Sequence, residues 1–313
     1  MPLPELELIR RIRRSAKQRG DRPGRGIGDD CAILPIPRGH EMLVTTDFSL
    51  EGIHFRREWH PADSIGHRCL ARGLSDIAAM GGTPRAAFLS LAMPADLPQK
   101  WVDEFLGGLL KLAKRYDVQL AGGDTAQSPD GVLADIIVVG SVPSGKALLR
   151  SGARAGDILY VTGTLGESVA TLQELRRGKK FWPITQPRHF YPDPRLAVGR
   201  YLREKKLATA MIDTSDGLST DLRHLCDESG VGAKVEAASL PAVPGDNALQ
   251  YALHGGEDYE LLFTAPPSRR VPKQIAGVPV SPIGSITRGR KITLRTLSGR
   301  SQPLLPGGWQ HFA

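Results

Sequence analysis

Cysteine is scarce in this sequence. Cys31, Cys69 and Cys226 are the only three in 313 residues, they are widely spaced, and no CxxC pair occurs. An odd, unpatterned set excludes a zinc ribbon and a disulfide framework and leaves reduced, structural thiols as the expectation. Long apolar runs are also missing. Nothing approaches the roughly 20 consecutive apolar residues that a membrane-spanning helix needs. The stretch from Leu3 to Arg14 is interrupted by Glu5, Glu7 and a set of arginines, so it does not read as a signal peptide. The expectation is a cytoplasmic protein with no membrane attachment.

Several common catalytic signatures are absent as well. There is no G-x-S-x-G elbow and no protein-kinase set of G-x-G-x-x-G, H-R-D and D-F-G. Gly140-Ser-Val-Pro-Ser-Gly-Lys146 comes close to a P-loop, but Ala147 stands where a hydroxyl should reach magnesium and Pro143 removes a backbone N–H from the loop. Cys31 has no base near it in sequence, so a covalent nucleophile is not indicated. The net charge of +8 attracts anions, yet the basic residues are scattered, and the cluster from Arg10 to Lys17 has no interleaved aromatics. Nucleic acid is therefore not the expected partner; small phosphorylated substrates benefit from the same field.

What is present is a chain long enough for two domains of about 150 residues each. Periodicity predicts helices over 5–18, 63–80, 99–115, 166–177 and 218–229. It predicts strands over 42–46, 86–92, 119–121, 133–140, 157–162, 207–213, 233–235, 259–264 and 291–296. A seam rich in turn residues falls near 143–153, which divides the chain into 1–143 and 144–313. Strands and helices mix in both halves without a strict βαβ rhythm, so the fold class is α/β of the α+β kind.

Within that frame one local design repeats. A strand ends, a small residue lets the chain turn, and an Asp projects: Gly28-Asp29-Asp30, Thr45-Thr46-Asp47, Gly123-Asp124 and Asp213-Thr214-Ser215-Asp216-Gly217. Magnesium takes hard oxygen ligands and is usually held by a few carboxylates together with substrate phosphates. Any single Asp here is explained as well by an Asx-turn or a helix cap; the whole set favours a metal. Asp76 lies on a helix, four residues after Arg72, and is read either as an i,i+4 ion pair or as a further ligand. Gly163-Thr-Leu-Gly166 opens a helix and is a weak candidate for an anion site. His54 is either a packing residue or a substrate contact. The run from Gly255 to Glu260 carries three acids behind two glycines that permit close backbone approach.

Taken in order, Gly26-Ile-Gly-Asp-Asp-Cys-Ala32, Thr45-Thr-Asp-Phe-Ser-Leu-Glu-Gly-Ile-His-Phe55, Leu74-Ser-Asp-Ile-Ala-Ala-Met-Gly81, Gly122-Gly-Asp-Thr125, Arg150-Ser-Gly-Ala153, Ile212-Asp-Thr-Ser-Asp-Gly217 and Gly255-Gly-Glu-Asp-Tyr-Glu-Leu261 resemble the thiamine-monophosphate kinase family. That family sits in a wider group with aminoimidazole ribonucleotide synthetase, selenophosphate synthetase and a hydrogenase-maturation dehydratase. The chain lacks the reactive Cys of a selenide enzyme's early loop and the terminal Cys of a hydrogenase-maturation enzyme.

The resemblance implies a two-domain aminoimidazole ribonucleotide synthetase-like fold and a homodimer paired through its N-terminal sheets. It implies transfer of the ATP γ-phosphoryl group to thiamine monophosphate with several magnesium ions. Asp30, Thr45, Thr46, Asp47, Asp76, Asp124, Asp213 and Asp216 are implied as the magnesium shell. Gly123, Asp124, Arg150 and Ser215 are implied as ATP contacts, and His54, Glu257 and Trp309 as contacts to the thiamine side. An adenine-side aromatic is left open between Phe105 and Tyr116.

Overall fold

The structure, a computed structural model, describes residues 3–16, 27 and 31–310. The candidate ligand Asp30 and the loop expected at 20–28, apart from Ile27, lie outside the described residues. The helices are α1 (Glu5–Ala16), α2 (Ala62–Ala79), α3 (Gln99–Arg115), α4 (Glu167–Arg176), α5 (Pro187–Phe190), α6 (Leu196–Glu204), α7 (Leu218–Ser229) and α8 (Ala248–His254). The strands are β1 (His40–Leu50), β2 (Thr83–Met93), β3 (Gln119–Gln127), β4 (Leu133–Pro143), β5 (Ile158–Thr162), β6 (Ala210–Asp213), β7 (Gly232–Glu236), β8 (Leu261–Ala265), β9 (Gln274–Ile275), β10 (Val278–Thr287), β11 (Ile292–Arg295) and β12 (Ser301–Pro303). No helix among the described residues is long and apolar enough to cross a membrane.

The chain forms two compact units. One comprises Met1–Ile77, Thr83–Gly145 and Lys180–Pro192; the other comprises Ala78–Gly82, Lys146–Lys179 and Asp193–Ala313. The first is built on a sheet of order β1-β4-β2-β3, antiparallel except for the β2–β3 pair. Period-two alternation decides its faces. Ala134, Ile136 and Val138 are buried beneath α2, where Gly73 lies against Val138 and Thr45. Met42, Val44 and Phe48 stand on the opposite face and are each about half exposed or more. Helices α2 and α3 touch backbone to backbone, because a Cβ on Gly66 would lie 1.9 Å from the Phe105 carbonyl oxygen.

The second unit carries a sheet of order β12-β11-β7-β10-β5-β8-β6, with β9 paired to β10. Its core includes Leu159, Val161, Ile212, Leu222, Leu225 and Ile286, contributed by both strands and α7. Strand β10, in the middle of this sheet, escapes the periodicity because prolines and a glycine interrupt it. Its register shifts between Pro282 and Gly284, where a Cβ would meet the Lys234 carbonyl.

Cys69 and Cys226 are buried and free, and Cys31 is exposed. Burial pushes the Cys69 thiol up to about 12 and the Cys226 thiol to about 11, so these two are inert at neutral pH.

Candidate active site

In the first unit the structure corrects one part of the sequence reading. Asp47 and Asp124 do not project from strand-end turns. Asp47 pairs with Ile136 inside β1, and Asp124 pairs with Ser90 inside β3. Gly122 and Gly123 do not stop β3: the register against β2 shifts at Ala121, and the two glycines then pair with Phe88 and Leu89. Gly123 has φ +147°, and a Cβ there would lie 1.9 Å from the Leu89 carbonyl oxygen, so only glycine fits.

The neighbouring threonines serve opposite faces of the sheet. Thr45 Oγ1 donates to Asp76 Oδ2 on α2. Thr46 Oγ1 donates to Asp135 Oδ1 on β4 at 2.7 Å. Asp135 was not singled out from sequence, since it sits inside an apolar strand with no turn or glycine beside it. Across the outer face, Asp135, Ser90 and Asp124 occupy one row on β4, β2 and β3. Asp124 Oδ1 also accepts the Thr125 N–H at 2.8 Å, while the buried Thr125 Oγ1 has no hydrogen-bond partner among the described residues. The Arg72 guanidinium donates to the Phe48 carbonyl.

His54 is held by its own turn. Its Nδ1 accepts the Leu50 N–H at 3.0 Å, and its N–H donates to the Leu50 carbonyl at 2.9 Å. The neutral ring therefore carries its proton on Nε2. Phe105 is fully buried and stacks on Trp101 with ring centroids 5.5 Å apart, which removes it as an adenine contact. Tyr116 is half-buried, with the Arg115 guanidinium 5.2 Å from its ring centroid.

In the second unit three distant segments meet at the turn after β6. Asp213 closes β6 and is 3% exposed. The Glu257 N–H donates to the Ser215 carbonyl at 2.8 Å, and the Trp309 N–H donates to the Asp216 carbonyl at 2.9 Å. Gly256 and Gly308 permit this approach, since their Cβ atoms would lie 2.8 Å from the Ser215 carbonyl and 2.1 Å from the Asp216 carbonyl. The structure thus brings Ser215, Asp216, Glu257 and Trp309 together. Arg150 is exposed on the segment before β5, which meets β6 where the Met211 N–H donates to the Leu149 carbonyl at 2.8 Å.

The acids of the 255–260 run divide their roles. Asp258 Oδ2 accepts the Gly166 N–H at 2.8 Å, and a Cβ on Gly163 would lie 1.9 Å from Glu260 Oε1. The helix start at Gly163–Gly166, read as a possible anion site, is thus served by the protein's own carboxylates.

Asp221 is a further residue that the sequence reading missed. It lies in the first turn of α7, and its Oδ2 accepts the Gly217 N–H at 3.0 Å. Burial, and then the charges of Asp213 and Asp216, hold its carboxyl well above the usual carboxylate range. A carboxylate four residues past a Gly at a helix start, able to reach back to the N-cap N–H, is the capping-type signal that could have revealed it.

These donors fit a hard cation in kind. Hydroxyls and carboxylates supply only oxygen, and the charges of Asp213 and Asp216 add to burial in disfavouring the charged form of Asp221. Among the described residues no group of three or more His, Cys, Asp or Glu side chains is arranged to hold a metal ion on its own. Magnesium does not require one, because it ordinarily takes one or two carboxylates plus substrate phosphates and water.

Comparison with known proteins starts from two family models. Residues 28–142 match the N-terminal domain of AIR synthase related proteins, and residues 154–296 match the C-terminal domain. The thiamine-monophosphate kinase of Escherichia coli strain K12 is 40% identical over 304 residues, covering 92% of each chain. The chain belongs to the thiamine-monophosphate kinase family. The crystal structure of the thiamine-monophosphate kinase from Stenotrophomonas maltophilia superposes with a TM-score of 0.82 at 35% identity, covering 94% of this chain and 97% of that one. The complex of AaThiL with AMPPCP and TMP superposes with a TM-score of 0.79 at 32% identity, covering 100% of this chain and 99% of that one. In this chain Glu257 (φ +63°) and Tyr259 (φ +51°) hold left-handed backbone, each costing about 1–3 kcal/mol.

Proposed function

We propose that this chain transfers the γ-phosphoryl group of ATP to thiamine monophosphate, forming thiamine diphosphate and ADP in thiamine diphosphate biosynthesis. The observation that carries this reading is the meeting of Glu257 and Trp309 at the Ser215–Asp216 turn, in a chain of this family. An aromatic face and a carboxylate beside a phosphate-handling turn suit a substrate that is cationic at its thiazolium ring and anionic at its phosphate.

Asp30, Thr45, Thr46, Asp47, Asp76, Asp124, Asp213 and Asp216 are assigned to magnesium ions. When bound, these ions neutralise the phosphate oxygens whose mutual repulsion opposes the meeting of two anions. Gly123, Asp124, Arg150 and Ser215 are assigned to ATP. The exposed Arg150 guanidinium supplies charge-assisted hydrogen bonds. His54, Glu257 and Trp309 are assigned to thiamine monophosphate, with His54 offering its Nε2–H as a donor.

An oxygen of the monophosphate attacks the γ-phosphorus in line, and the bond to the β–γ bridging oxygen breaks as ADP leaves. The monoester has a second pKa of about 6, so it arrives largely deprotonated and requires no strong general base. No phosphoenzyme forms. Stable label on the protein after incubation with γ-labelled ATP alone would refute that route.

The 1–143 and 144–313 halves are assigned as the ATP- and magnesium-binding dimerisation domain and the C-terminal domain. A homodimer paired through the first sheet is supported by the exposed Met42, Val44 and Phe48 on its outer face. The cytoplasm is the proposed location. Asp47→Asn and Asp124→Asn should each abolish turnover with unchanged circular dichroism; near-normal activity in either contradicts the metal assignment.

A further inference from the structure

Glu257 and Tyr259 both occupy the left-handed backbone region, with one residue between them. Backbone of this kind persists only where surrounding contacts over-determine it. The contacts here are specific and buried. Asp258 binds the Gly166 N–H, as described above. Glu260, fully buried, accepts the Thr162 hydroxyl at 2.6 Å and the Arg195 guanidinium through Nε at 2.7 Å and Nη2 at 2.5 Å. Thr162 Oγ1 in turn accepts the Leu261 N–H at 2.8 Å. The Thr214 N–H donates to the Glu260 carbonyl at 2.8 Å, and Thr214 Oγ1 accepts the Glu260 N–H at 3.1 Å. The Tyr259 N–H also donates to the Thr214 carbonyl at 2.9 Å, so the chain is clamped at Tyr259 and Glu260, while the Glu257 N–H is tied to Ser215.

We infer that the Thr162–Glu260–Arg195 cluster is a positioning device for Glu257 and sets the affinity for the phosphoryl acceptor rather than for ATP. A bidentate guanidinium fixes orientation as well as distance, because its two N–H bonds leave the carboxylate no freedom to rotate. Thr162 links that fixed carboxylate to the first backbone N–H of β8. Any slack in the cluster is passed through a single residue, Tyr259, to the Asp258–Glu257 segment, whose strained backbone relaxes once it is released. Gly123, inside β3, and Arg150, whose carbonyl accepts the Ser229 hydroxyl at 2.9 Å, are held by other elements, so these ATP contacts do not depend on the cluster. This inference rests on the reading in which Glu257 touches thiamine monophosphate.

The test is steady-state kinetics of the full chain with both substrates varied. Glu260→Gln and Thr162→Val should raise KM for thiamine monophosphate roughly tenfold or more. KM for ATP and kcat should stay within about twofold, since an interaction of the acceptor has been lost and not one of the transition state. Thr162→Ser, which keeps the hydroxyl, should restore the wild-type KM. In a Glu257→Ala background, Thr162→Val should add no further rise. A purely structural role lowers the active fraction, and so kcat, without separating the two KM values. Equal movement of both KM values, unchanged KM for the acceptor, or a full Thr162→Val effect in the Glu257→Ala background each overturn the inference. If Glu260→Gln does not fold, the Thr162 pair decides alone. A wild-type protein that makes no diphosphate overturns the underlying reading instead, and that failure is distinguishable because it precedes any comparison of variants.

Discussion

Replacing Arg195 by Leu tests the energetic account of the second unit. The Arg195 side chain is 12% exposed and the Glu260 side chain is 0% exposed, with Nη2 and Oε1 2.5 Å apart. Removing one partner of such a pair leaves a carboxylate in a site of low polarity, which costs about 3–5 kcal/mol. A surface pair would cost about 0–1 kcal/mol, so the two cases are well separated. For a domain of roughly 150–250 residues the loss corresponds to a fall in Tm on the order of 10 °C. Urea unfolding followed by circular dichroism measures it directly. Adding Glu260→Gln to Arg195→Leu removes the stranded charge while keeping an acceptor for Thr162, and should recover part of the loss. A loss below about 1 kcal/mol, or a double variant no more stable than Arg195→Leu, would refute the reasoning.

Other outcomes can be stated more briefly. Gly123→Ala forces a Cβ to within 1.9 Å of the Leu89 carbonyl oxygen at φ +147°; it should destabilise the protein by about 2–4 kcal/mol and weaken ATP binding measured by calorimetry. Val44→Asp with Phe48→Asp places charges on the outer face of the first sheet and should convert a dimer to a monomer in analytical ultracentrifugation. An unchanged sedimentation coefficient contradicts the proposed pairing. Burial holds His254 below its usual pKa of 6.5, while its Nδ1 lies 2.8 Å from Ser219 Oγ, beneath Gly307. The unfolded chain therefore binds this proton more readily, and stability present above about pH 6.5 is lost as the pH falls below it. His254→Gln should flatten that decline in thermal melts between about pH 7.5 and 5.5; parallel curves would count against it.

Much of this arrangement was legible in the sequence, for reasons that differ from residue to residue. Helices α2, α3 and α7 announce themselves by apolar spacing, and Asp213–Gly217 reads as a turn because it is one. Asp47 and Asp124 read as strand-end residues, Asp124 because Gly-Gly before an Asp looks like a stop when read locally. Only the ladder to β2 and β4 shows that the strands continue. Asp135 and Arg195 carry no local signature, as their roles come from partners 89 and 65 residues away. The contact of Trp309 with Asp216 was visible only as family resemblance, because a tail hooking onto a turn by its backbone leaves no pattern in side chains.

The central claim is chemical, and phosphorus NMR of the wild-type protein with ATP, magnesium and thiamine monophosphate addresses it most directly. The account predicts loss of the monophosphate and γ-phosphate signals and growth of two diphosphate species, thiamine diphosphate and ADP, in equal amounts, with no free phosphate. ATP left intact, or hydrolysed to ADP and free phosphate with the thiamine monophosphate untouched, would contradict it.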